Sequence, residues 1–146
     1  MPGTDRYPAA YVQAARDEIA AQIRAYRDLV GAASKASGMS LTRIDAALAA
    51  FEPAFFNNLL IALEMRFVHR QRGPEGQGGD PLDEVRMLAA SLMDNAGVLA
   101  PDPAIGYDAG NAVLRIDIGD RIALNADDFE ALCTAFLAGI ERKSSA

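Results

Sequence analysis

The chain has 146 residues, 51% of them hydrophobic and 23% charged, with one Cys, one His and no Trp. That length suits one compact domain, and the composition excludes disorder, collagen-like repetition and a disulfide-dependent fold. A net charge of −6 argues against nonspecific nucleic-acid binding, which rests on phosphate neutralisation by Lys and Arg.

Residues Tyr7 to Ala36 are predicted as a long first helix, with Pro8 tolerated near its start. Ile19, Ile23, Tyr26, Val30 and Ala33 recur at alternating spacings of four and three, the pattern of a heptad-like seam. Such a seam serves either packing within the bundle or an oligomerisation arm over residues 7–36. The small-residue run Gly31 to Ser40 ends or loosens this helix. A second helix starts at Ser40 or Thr42 and carries one apolar stripe of Leu41, Ile44, Leu48 and Phe51. Pro53 is expected to break or kink the chain before a third helix resumes.

That third segment, Pro53 to Arg72, is apolar over most of its surface. Phe56, Leu59, Leu60, Leu63 and Phe67 share one face, Ile61, Met65 and Val68 lie roughly opposite, and Asn57, Glu64 and Gln71 form a narrow polar strip. A helix with so little polar surface is expected at the centre of a bundle. Its longest uncharged run, Pro53 to Leu63, falls short of the roughly 20 residues a membrane span needs. The N-terminus lacks the basic start and apolar run of a secretory leader, and a lone Cys133 suits a reducing compartment. Both features favour a cytoplasmic location.

The glycine-rich stretch GPEGQGG (residues 73–79) reads as a loop. Asp80 then caps a further helix, with Pro81 at its first position, Asp83 and Glu84 in its first turn and Gly97 at its end. Its core stripe is Leu82 or Val85, Leu88, Ala89 and Leu92. From Ala112 to Leu124 the apolar period changes to two, through Leu114, Ile116 and Ile118 and then Ile122 and Leu124. This predicts a β-hairpin over 112–124 turning at Gly119-Asp120, with Ile118 paired to Ile122 and a third short strand around Ile105 and Tyr107. Asn125 caps the last helix, whose apolar stripe is Phe129, Leu132, Cys133, Phe136, Leu137 and Ile140. The sequence thus predicts a mostly helical α+β domain over residues 1–146. It has four to five helices around the Pro53–Arg72 segment and a small antiparallel hairpin before the C-terminal helix.

Charge is unevenly spread. Nine acidic residues fall between Asp94 and Glu141, whereas Phe55 to Arg72 holds only Glu64 against Arg66, Arg70 and Arg72. With 12 Arg to 2 Lys and 29 Ala, the composition is bacterial-like, as a GC-rich genome would give, so arginine abundance alone carries little weight. The Arg66, His69, Arg70 and Arg72 cluster still stands out, because Arg70 continues the apolar stripe and needs a buried partner or a route to water. Asp80, Asp83 and Glu84 are its candidate partners, with Arg86 nearby. The cluster admits two readings. One is a structural ion-pair network; the other is an anion-binding site of Arg66, His69, Arg70 and Arg86, with His69 as the only candidate general acid–base.

Other chemistry finds little support. The glycine loop lacks the Lys and hydroxyl of a phosphate loop, and one Cys and one His far apart do not make a zinc site. Cys133 sits on a core stripe without basic neighbours, unlike an activated thiol. The expectation is a non-enzymatic, homo-oligomeric interaction or scaffold protein without cofactor, metal, nucleic-acid or membrane partner. The alternative is a small-molecule binder or enzyme that uses the Arg/His cluster on an anionic ligand.

Overall fold

The computed structural model describes residues 7–36, 41–68 and 80–145. Among them are four helices: α1 (Ala9–Ala36), α2 (Leu41–Arg66), α3 (Pro81–Asp94) and α4 (Ala126–Ser145), with a short 3-10 turn at Ala109–Asn111. The helical bundle expected from the sequence is present. α4 contacts each of the other three helices, and α2 contacts α1 and α3 as well.

The best-signposted helix ends form as the sequence indicates. The Asp80 carboxylate accepts a hydrogen bond from the Leu82 amide at 2.9 Å, and Pro81 is the first residue of α3. At α4, the Asp128 amide donates to Asn125 Oδ1 at 2.8 Å, and the Asn125 amide donates to Asp128 Oδ2 at 3.3 Å. Each side chain thereby satisfies an amide that the helix itself leaves open. All six residues of the predicted α4 stripe are buried. In α1, Ile19, Ile23 and Tyr26 of the predicted seam are buried together with Val12 and Ala15. This part of the seam is committed to the core of its own chain.

Two expectations need correction along α2. The helices predicted on either side of Pro53 are one helix of 26 residues with the proline inside it. A proline in a helix interior removes one hydrogen bond and crowds the preceding turn, so something must hold both sides. Aromatic packing does so: Tyr26 of α1 stacks on Phe51 and Phe55 at centroid distances of 6.1 and 6.0 Å and meets Phe56 edge-on at 5.0 Å. Its hydroxyl also donates to Glu52 at 2.5 Å. One side chain from α1 thus grips α2 before and after Pro53.

Nor does α2 occupy the centre of the bundle. Phe56, Leu60, Leu63 and Phe67 are fully buried, but Met65 is 57% and Val68 40% exposed. The helix packs by one face and leaves the opposite apolar face in solvent. By length and composition alone, Arg43–Arg66 could cross a bilayer, with a window mean hydropathy of 1.5. Its Phe56 face is nevertheless packed against the rest of the protein.

The predicted β-hairpin over 112–124 is absent, and no strand occurs among the described residues. An isolated antiparallel bridge joins Val98 to Arg121 instead. Leu99 donates to Asp120 O and accepts from the Gly119 amide, both at 2.9 Å, and the Ile122 amide donates to Gly97 O at 2.8 Å. The Gly119 turn is real, with φ +93°, but the chain leaving it pairs with the exit from α3. Side chains replace the missing strand partner. The Glu84 carboxylate accepts from the Val113 and Leu114 amides at 2.8 and 3.0 Å. The Asn57 amide brackets the next stretch, donating to Ile122 O at 3.0 Å and accepting from the Leu124 amide at 3.2 Å. Arg115, at φ +56°, breaks the extended path a strand would need. Alternation predicts which side chains turn inward at Ile122 and Leu124, both buried. It cannot foresee that a carboxylate and an amide from two helices satisfy the backbone.

Candidate functional site

Arg66 closes α2. Its guanidinium pairs with Glu18 of α1 at 2.8 Å, and its carbonyl accepts from the Tyr11 hydroxyl at 2.7 Å. The arginine holds the Glu18 carboxyl below its ordinary value, first by hydrogen bonding and then by charge. Arg86 of α3 lies 3.8 Å from Glu64 of α2, with both side chains largely buried. His69 and Arg70, like Arg72, lie outside the described residues. Arg66 and Arg86 are therefore each placed beside a carboxylate of another helix. Among the carboxylates proposed for Arg70, Glu84 is engaged by the Val113 and Leu114 amides, and Asp80 caps α3 with Lys143 at 3.8 Å.

Burial pushes the Glu84 carboxyl above its ordinary value, partly opposed by those two backbone hydrogen bonds. Burial raises the Cys133 thiol strongly, with the nearby Glu130 charge adding to it. A thiol held protonated is a poor nucleophile. Tyr107, whose hydroxyl donates to Ile116 O, is pushed up to about 12 by burial, with the charges of Glu84, Asp117 and Asp108 contributing further. Through these hydrogen bonds Glu84 and Tyr107 hold the fold together. Among the described residues, no group of three His, Cys, Asp or Glu side chains is placed to hold a metal ion.

Open grooves lie among the described residues, two of them near α1. One, of about 370 Å³, lies between α1 and α4 over Ile19, Ile23, Cys133 and Leu137, with Arg16 and Glu130 also lining it. The other, of about 280 Å³, is lined by Tyr26, Glu52, Arg27 and Asp127 among others. Its polar groups are paired with each other: Tyr26 with Glu52, and Arg27 with Asp127 at 2.8 Å.

The outward face of α2 differs in kind. Ala47, Phe51, Ala54, Asn58 and Met65 are exposed along it, with Ile61 partly so and Val68 in the turn beyond. At 3.6 residues per turn these positions fall on one side of the helix, opposite Phe56. That side bears no charged residue from Ala47 to Val68, while Glu52, Glu64 and Arg66 lie on its flanks. Phe51 is 45% exposed, close to the values at Met65 and Val68. A run of exposed apolar side chains on one face marks a contact surface more often than chance exposure of single residues does. The sequence contains the signal. Apolarity over most of a helix suggests a central position, whereas α2 is apolar toward its own core on one side and toward solvent on the other.

In comparisons with known proteins, no family model matches the chain, and no curated protein or solved structure matches it.

Proposed function

We propose that this protein is a non-enzymatic association module that assembles with copies of itself through the exposed apolar face of α2. The observation that carries the reading is the uncharged, outward strip from Ala47 to Val68 on a protein of net charge −6. Elsewhere the surface is rich in charge, and arginines of α1 and α2 pair with carboxylates within the chain, as in Arg16 with Glu141 and Arg66 with Glu18. Covering a strip of apolar side chains removes it from water, at roughly 25 cal/mol per Å² of apolar area.

Sedimentation velocity between about 1 and 300 µM tests the reading, a range suited to an interface of modest size. The expected result is a reversible, concentration-dependent dimer or higher oligomer, shifted toward monomer by Met65→Glu. A monomer across the whole range overturns it. Met65 is exposed, so the glutamate leaves the core intact and its effect reads on association.

A further inference from the structure

Where α1, α2 and the start of α4 meet, the groove of about 280 Å³ has an apolar wall and an acidic end. Val30 of α1 and Leu48 of α2, both half-buried, form the wall beside the buried Tyr26. Glu52 follows Leu48 by four residues on α2 and lines the same groove, because residues four apart share a helix face. Apolar contact with one placed polar group is how a small-ligand site combines affinity with orientation.

Glu52 is held in place but not saturated. The Tyr26 hydroxyl donates to its Oε1 at 2.5 Å, which ties the carboxylate to α1. Among the described residues, its Oε2 has no hydrogen bond or ion pair. An ionised carboxylate accepts at both oxygens, so Oε2 is open to a donor. The guanidinium nearby does not serve it. Arg27 is engaged by α4, with Asp127 at 2.8 Å and Glu130 at 3.2 Å. At this corner three carboxylates, Glu52, Asp127 and Glu130, thus stand against the one guanidinium they surround.

That balance sets the charge of a ligand, and hydrogen bonding sets its type. An excess of carboxylates attracts a cation and repels an anion. A quaternary ammonium has no N–H to give to Oε2, whereas a primary ammonium has three. The apolar wall suits an alkyl chain attached to that nitrogen. At about 280 Å³, the groove lies just under the roughly 300–1,000 Å³ of ordinary ligand pockets, so the chain is short.

We propose that this groove binds a primary alkylammonium group, its nitrogen bonded to Glu52 Oε2 and its short chain lying on Val30 and Leu48. The site uses neither Phe51 nor Met65 and is independent of the association reading above.

The test is titration of the protein with n-butylammonium chloride at neutral pH and constant ionic strength, followed by amide NMR. Saturable shifts are expected around Tyr26, Leu48, Glu52 and Ala126, with Kd in about the millimolar range because an ion pair open to water is weak. Glu52→Gln keeps an acceptor for Tyr26 and removes the charge, and is expected to weaken binding about tenfold. Arg27→Gln releases Asp127 and Glu130 from their guanidinium and is expected to tighten binding about threefold. A merely structural Glu52 predicts no tightening by Arg27→Gln. Nα-acetyl-lysine amide carries the same group on a peptide unit. Tighter binding than n-butylammonium makes the source a lysine side chain and weaker binding makes it a free amine, and either result upholds the ammonium site. The absence of saturable shifts up to about 50 mM overturns the proposal. Equal shifts with n-butanol, or unchanged binding in both variants, overturn it as well.

Discussion

Glu84 is a buried charged residue that holds the backbone of a distant segment. It is 4% exposed, and its two oxygens supply the acceptors for Val113 and Leu114. Gln at this position has one oxygen and an amide that confronts a backbone N–H. Glu84→Gln is therefore expected to destabilise the protein by about 1–3 kcal/mol, measured by urea unfolding. The pH dependence has a definite sign. Because burial raises the Glu84 pKa in the folded state, this group's contribution to stability is greatest below the ordinary carboxyl value and is lost as pH rises through the folded one. The deficit of the Gln variant should therefore widen as pH falls from neutral toward about 4.5. A pH-independent deficit would show that the carboxylate's ionisation is uncoupled from folding. Asn57 acts similarly without charge, and Asn57→Ala, which removes two bonds to backbone, should cost about 2 kcal/mol. Neither role is legible from sequence. A glutamate in the first turn of a helix is explained locally by the helix dipole, and only the fold reveals what its oxygens reach.

At the scale of elements, the legible features are those whose cause is local. The Asp80–Pro81 start of α3, the Asn125 start of α4 and the spacing of apolar residues in α4 each act within one or two turns. The structure has them where the sequence places them. Pro53 and the 112–124 segment depart from expectation because their outcome depends on partners far away in the chain. Proline disfavours a helix interior, yet the Tyr26 contacts on both sides outweigh that preference. Pro53→Ala should consequently stabilise α2, raising the midpoint of thermal unfolding followed by circular dichroism. The gain is at most about 3 kcal/mol, the helix-interior penalty of proline. A lower midpoint would mean that the aromatic contacts need the backbone path the proline imposes. The hairpin is absent for a related reason: alternation reports which side chains face inward, and leaves open which backbone they pair with.

For the molecule as a whole, the sequence by itself determined that this is a mostly helical bundle and most of the residues of α3 and α4 that build its core, missing the buried Met87. Periodicity and capping are set by neighbours three or four residues away, so a linear reading finds them. Association also belongs at this scale, and the outcome for Met65→Glu turns on one face of one helix. That face is present in the sequence as a second apolar stripe on α2. An apolar stripe does not state whether its own chain or another one covers it. The tertiary structure decided this by packing Phe56, Leu60, Leu63 and Phe67 inward, which leaves Phe51, Asn58 and Met65 on the outside. It decided in the same way that Arg66 and Arg86 lie beside Glu18 and Glu64. Burial and pairing are relations between distant parts of a chain, and only the folded arrangement fixes which parts become neighbours.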